Sequence, residues 1–219
     1  MTENQLIKKS LNHFITANRI PALAAILGPL VFGAIEIVAI VNNPLYSPFR
    51  ESVSDLGLGP TGWIQSTGFY VFSVLYIIFI IGLYRTLNNK ITLKVATGIN
   101  FYIALGFLLI ALFQTDSAGF RYYVHLYVAA SVMGIFPLSC FLYLPAMRAT
   151  PGWRVSFFAT LGAGLISVII CTSPLQPPTQ WIEFPIFERA LMINTALWIE
   201  VVGFNLLRNS TGNLRNSFL

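Results

Sequence analysis

Apolar residues gather in six long runs, and short polar connections separate them. Each run is about 20 residues, enough to cross a hydrocarbon layer of roughly 30 Å as a helix. The pattern predicts spans at about 21–41, 64–85, 93–113, 123–147, 155–174 and 186–208. None of the runs shows the short alternating segments of a membrane β-barrel. Before the first span, residues 1–20 are polar with an apolar stripe of Leu6, Ile7, Leu11, Phe14 and Ile15, flanked by Lys8, Lys9 and Arg19. That spacing predicts an amphipathic helix lying on the cytoplasmic leaflet. It does not read as a cleaved signal peptide, because the run that follows is too long for an h-region and no small-residue cleavage site follows it. Residues 209–219 form a polar tail. The expected fold class is all-α: a polytopic six-helix transmembrane bundle.

Composition strengthens this reading. Only 10% of the 219 residues are charged and the mean hydropathy is +0.72, whereas a soluble domain carries about 25% charged residues. The net charge of +5 is spread along the chain, with no basic block that would suggest nucleic acid. It is more useful as a topology signal. The arm, the second and fourth connections and the tail hold ten of the Lys and Arg residues, and the alternate connections hold three: Arg50, Arg121 and Arg189. The positive-inside rule then places both termini in the cytoplasm. The expected setting is the plasma membrane of a prokaryote. Trp63, Tyr122, Tyr123 and Trp181 fall at the outer edges of spans, and Tyr84 and Trp153 at inner ones. Gly28, Gly33, Ala159 and Ala163 are expected to let helices approach closely, and Pro137 and Pro145 to kink the fourth span. Cys140 and Cys171 sit in apolar runs and spell no metal or redox motif.

The chemistry concentrates at one end of the predicted bundle. The stretch Arg50-Glu51-Ser52-Val53-Ser54-Asp55-Leu56-Gly57 lies between the first two spans. Asp116 and Arg121 lie in the third connection, His125 starts the fourth span from the same side, and Glu188 and Arg189 start the sixth. Glu36 lies about 7 Å inside the end of the first span at helical rise. Ionisable groups at membrane depth are costly and usually functional, so Glu36 needs a partner, with Arg189 or His125 available. Each piece also has a plainer use. Ser54 and Asp55 suit a turn or helix cap, Glu188 suits a first helical turn, and Arg189 can reach headgroups or an acid.

In order along the chain, Tyr46-Ser47-Pro48, Ser54-Asp55-Leu56-Gly57, Phe113-Gln114-Thr115-Asp116, His125 and Phe187-Glu188-Arg189 with Trp198 downstream resemble the six-helix membrane family known as domain of unknown function 998. One departure is Gln114, which stands where that family commonly has proline. Ser54-Asp55 with its following glycine, and the pair Asp116 and His125, are more distantly similar to the FRAG, DRAM and Sfk group. That group is linked to lipid and GPI-anchor handling and to autophagy-related membranes, so the resemblance implies a lipid ligand.

Three functional classes follow. In the first, the protein binds or modifies a membrane lipid: Arg50, Arg121 and Arg189 would hold a phosphate headgroup, Ser52 and Glu36 would be further ligand-binding residues, and acyl chains would lie between the spans. A catalytic form would use His125 as general base, oriented by Asp116, with Ser54 or Ser52 as nucleophile, although no nucleophile-elbow motif is present. In a metal-dependent form, Asp55, Asp116, His125 and Glu188 would hold an ion; one imidazole among oxygens is a poor zinc site and better suits a harder cation, and no metal or other cofactor is expected. In the second class, the outer charges form a non-catalytic salt-bridge lock. The third, proton-coupled transport, is weakest, because the spans hold few ionisable groups near the midplane. A haem carrier is disfavoured by the single histidine in range.

Overall fold

The computed structural model describes residues 3–114, 119–173 and 184–215, with side chains described over 19–114, 119–173 and 185–210. The described residues form six helices and one short 3-10 turn. These are α1 (Glu3–Val41), the 3-10 helix Val53–Gly57, α2 (Gly62–Thr86), α3 (Ile91–Leu112), α4 (Phe120–Ala149), α5 (Arg154–Thr172) and α6 (Phe184–Arg215). All six helices are long and apolar enough to cross a membrane. Their bounds fall within three residues of the predicted spans, except that α1 and α6 run on into the arm and the tail without a break. Pro21 and Pro29 lie inside α1, and Pro137 and Pro145 inside α4, with helix continuing through each.

The helices pack as a closed ring, each against its sequence neighbours, and α6 returns to pack on α1. Close approach is set by glycine. A Cβ on Gly106 of α3 would lie 2.3 Å from Val132 of α4, one on Gly82 of α2 would lie 2.1 Å from Pro21, and one on Gly203 of α6 would lie 2.6 Å from Ala25. These three contacts are tighter than those at the expected positions: Gly28 meets Phe72 and Leu75 at ordinary distance, and Gly33 faces open space. Without water to supply a hydrophobic force between helices, close backbone approach and interhelical hydrogen bonds drive their association. Ser73 of α2 donates to the Ala104 carbonyl of α3 at 2.7 Å, and Tyr76 donates to Asn100. On the other side, Asn194 of α6 donates to the Ala163 carbonyl and to Ser167 of α5, both at 2.9 Å.

The middle of the ring is filled by aromatic rings. Trp198 meets Phe79 and Phe136 edge-on at centroid distances of 5.9 and 5.4 Å, and its indole N–H donates to Thr160 at 2.8 Å. At one end the second and fourth connections meet, where the Asn88 N–H donates to the Thr150 hydroxyl at 2.9 Å. Trp153 sits there at 1% exposure. It is core and not an interfacial anchor, since it starts α5 with its ring turned into the bundle. Trp63, Tyr122, Tyr123 and Tyr84 are exposed, as belt residues would be. Trp181 and the proline-rich stretch 174–178 lie outside the described residues.

Candidate functional site

At the other end of the bundle, the connection from α1 to α2 folds back on itself through its own polar residues. The Ser47 N–H donates to the Glu51 carboxylate at 2.6 Å. Ser52 then caps the 3-10 helix. Its hydroxyl accepts from the Asp55 N–H at 3.2 Å, while Asp55 Oδ2 accepts from the Ser52 N–H and hydroxyl, each at 2.8 Å. This reciprocal box satisfies the donors that a helix start leaves open. Capping therefore accounts for Ser52 and Asp55, but not for Ser54, which lies between them. The chain next reverses through Gly59, at φ +74°, into α2. Gly62 lies so close to the Gly57 carbonyl that a Cβ there would come within 2.0 Å of the oxygen. Any side chain at that position would lift the 3-10 helix off α2.

Glu188 and Arg189, in the first turns of α6, hold this connection from the helix that packs beside α1. Glu188 is buried, and its Oε2 accepts from the Val53 N–H at 2.8 Å. The Arg189 guanidinium donates to the Glu51 carbonyl at 2.9 Å, to the Pro185 carbonyl at 3.2 Å and to the Tyr46 hydroxyl. Tyr46 is buried under that guanidinium and donates onward to the Ser52 carbonyl at 2.7 Å. Burial pushes the Tyr46 phenol up to about 12, against the pull of the Arg189 charge, so it stays protonated and can donate. Arg189 also acts electrostatically on Glu36, one of the two partners that the sequence offered for that carboxylate.

His125, in the first turns of α4, is 5% exposed. Its Nδ1 lies 2.6 Å from the Phe113 carbonyl, and its Nε2 lies 2.9 Å from the Ser54 hydroxyl. A carbonyl can only accept, so in the neutral ring the proton sits on Nδ1 and Nε2 presents its lone pair to Ser54. Ser54 is then the donor. The orienting bond on Nδ1 is made by a main-chain carbonyl; Asp116, to which the sequence assigned that role, lies outside the described residues. Next to Phe113, Gln114 donates to Ser66 of α2 at 3.0 Å, a tie that a proline there could not make.

Beneath the 3-10 helix lies a cavity of about 300 Å³. Pro29, Phe32, Gly33 and Glu36 line it from α1. Stripes at the same spacing come from α4, at 129, 132, 133 and 136, and from α6, at 188, 191, 192 and 195. Its wall is apolar except for Glu36, Ser54 and Glu188 towards the 3-10 helix and Thr195 deeper in α6, whose hydroxyl donates to the Leu191 carbonyl at 2.8 Å. The volume is at the lower edge of small-molecule pockets, about 300–1,000 Å³.

The structure thus brings Ser52, Ser54, Asp55, His125, Glu188 and Arg189 to the same connection, with Glu36 on the cavity wall. Arg50, in the connection itself, and Arg121, in the first turn of α4, are exposed. Among the described residues, no three His, Cys, Asp or Glu side chains lie close enough together to hold a metal ion. Tyr46 and the carbonyls of Glu51 and Phe113 were not singled out for a role by sequence reasoning. Carbonyls leave no trace in residue type, whereas Tyr46 stood in a motif whose purpose only the fold reveals.

Comparison with protein families finds a match over residues 26–205, most of the chain, to the family described as Protein of unknown function (DUF998). Comparison with curated proteins and with solved structures finds no match.

Proposed function

The chain belongs to the DUF998 family, and we propose that it is a membrane protein that binds a single-tailed amphiphile, with the tail in the cavity and the polar head against Glu36, Ser54 and Glu188. The observation that carries this reading is the polarity of the cavity, whose carboxyl and hydroxyl groups lie towards one end and whose remaining wall is apolar. A volume of about 300 Å³ suits one acyl chain and not a whole two-chain lipid. Two carboxyl groups offer phosphate no cation, and the Arg189 guanidinium is already engaged by Tyr46, Glu51 and Pro185. The head that fits is therefore neutral or cationic and donates hydrogen bonds, as hydroxyl and amine groups do. We place this end of the bundle on the non-cytoplasmic face of the plasma membrane, following the distribution of Lys and Arg.

Gly33 supplies the test. It lines the cavity, and a Cβ there would meet nothing within 4 Å. Gly33→Leu puts a branched side chain into that space, starting from a Cβ that meets nothing. Native mass spectrometry of protein released from native membranes should show a bound amphiphile on the wild type and its loss from Gly33→Leu. Equal occupancy of the two proteins, or none on either, would overturn the reading.

The second reading is the structural lock. The fan of bonds from Arg189 supports it, since they tie α6 to the 42–61 connection whether or not a ligand is present. The two readings use different side chains: Arg189 and Tyr46 for the lock, Glu36 and Ser54 for the ligand.

A further inference from the structure

We infer that Ser54 and His125 form a nucleophile and general base that transfers the acyl group of a neutral single-tailed ester held in the cavity. The inference rests on the amphiphile reading above and adds a reaction to it. Ser54 faces two ways: its side chain lies in the cavity wall, and its hydroxyl donates to His125 Nε2 at 2.9 Å. A base that activates a serine needs this reach, about 2.6–3.2 Å, and a third group to fix its ring. The Phe113 carbonyl at 2.6 Å from Nδ1 supplies the third group and sets the tautomer. Helix capping does not explain the arrangement, because Ser52 makes the cap. His125 itself is buried, which holds its ring away from bulk water.

The bond changes balance without an outside oxidant or metal. The Ser54 Oγ forms a bond to the ester carbonyl carbon as its proton passes to His125 Nε2. The carbon–oxygen bond to the alcohol then breaks, and His125 returns that proton to the departing alkoxide. The acyl chain stays on Ser54 until water or a second hydroxyl compound, deprotonated by the same Nε2, attacks its carbonyl carbon; the bond to Ser54 Oγ then breaks and the Nε2 proton returns to that oxygen. Glu36 and Glu188 at the head of the cavity offer no cation to a free fatty acid or a phosphate-headed lipid, and of the neutral and cationic heads that fit there the proposal takes neutral esters as the substrate class.

The test uses the full chain in detergent with a long-alkyl fluorophosphonate, and peptide mass spectrometry locates the adduct. We expect the adduct on Ser54, with its formation at least about 100-fold slower in His125→Asn, since a positioned base contributes about 10²–10⁴-fold. Wild-type labelling alone decides the matter if the variant does not fold. An unreactive alkyl phosphonate ester of the same chain length reports occupancy separately by native mass spectrometry. Occupancy without a Ser54 adduct overturns the acyl-transfer step and leaves the binding reading standing. Absence of both overturns the two together, and an adduct on another serine overturns the assignment to Ser54.

Discussion

Replacing Arg189 by methionine removes the guanidinium while keeping a long apolar stem, and it isolates the lock. Three hydrogen bonds are lost, to the Glu51 carbonyl, the Pro185 carbonyl and the Tyr46 hydroxyl. Hydrogen bonds from a charged donor contribute about 1.5–3 kcal/mol each, so three give an upper bound of roughly 5–9 kcal/mol. Two considerations lower that figure. Arg189 is half-buried, so water can replace some of the carbonyl contacts. Tyr46 also keeps its bond to Ser52. A net loss of about 2–4 kcal/mol remains, in line with breaking a partly buried charged contact. Arg189→Lys should recover less than half of it, because one ammonium cannot reproduce a planar fork that spans two carbonyls and a phenol. The measurement is equilibrium unfolding of the three proteins in one lipid–detergent mixture, paired with limited proteolysis of the 42–61 connection. The order should be wild type, then lysine, then methionine, with cleavage in that connection rising in the same order. If methionine costs less than about 0.5 kcal/mol, the range of ordinary surface substitutions, or if lysine equals arginine, the fan of bonds is not what holds the connection to α6.

Two further substitutions probe the same end of the bundle. Gly62→Ala puts a methyl group where the Gly57 carbonyl lies, and it should lower stability by more than about 1 kcal/mol; the same change at Gly33, which meets open space, should be neutral or stabilising by up to about 1 kcal/mol in thermal unfolding. Glu188→Ala leaves the buried Val53 N–H without its acceptor and should cost about 1–3 kcal/mol, whereas Glu188→Gln keeps an acceptor oxygen and should cost much less when the two are compared by the same unfolding measurement.

Much of this architecture was legible in the sequence because a membrane makes burial a matter of length. Six runs of sufficient length correspond to six spans, and the apolar spans of the observed helices begin and end within three residues of them, although α1 and α6 themselves run on into the arm and the tail. The convergence of Ser54, His125, Glu188 and Arg189 on one connection could be read for a similar reason: charged groups placed at alternate loops must share an end. The partners of those groups could not be read. Glu188 binds a main-chain N–H and His125 a main-chain carbonyl, and the residue type at Val53 or Phe113 says nothing about either. The roles within Ser52-Val53-Ser54-Asp55 were also out of reach. Both serines can cap, and only the start of the 3-10 helix decides that Ser52 does so. The tight glycines Gly82, Gly106 and Gly203 were missed because each depends on what faces it across the ring, and spacing along a single helix carries no such information.

The 3-10 helix does more than decorate a loop. The helices α4 and α6 are not neighbours in the ring, which runs through α5 between them. Yet two consecutive residues of the 3-10 helix reach one each: the Val53 N–H to Glu188 on α6, and the Ser54 hydroxyl to His125 on α4. These two bonds bridge the head of the cavity, whose wall is built largely from those two helices and α1. The Val53 N–H is one of the open main-chain donors at the start of the helix and points along its axis, whereas Ser54 bonds through its side chain, which is why neighbouring positions can serve two different helices. Two of the four polar residues that line the cavity, Ser54 and Glu188, thus belong to the device that fixes its width. A head group that draws Ser54 away from His125 must loosen the α4 side of the bridge and leave the α6 side intact, since Glu188 holds Val53 through a separate bond. Under the proposed amphiphile reading, ligand recognition and local rigidity would be coupled at Ser54 for that reason, with the Arg189 bonds on the α6 side holding the connection in place.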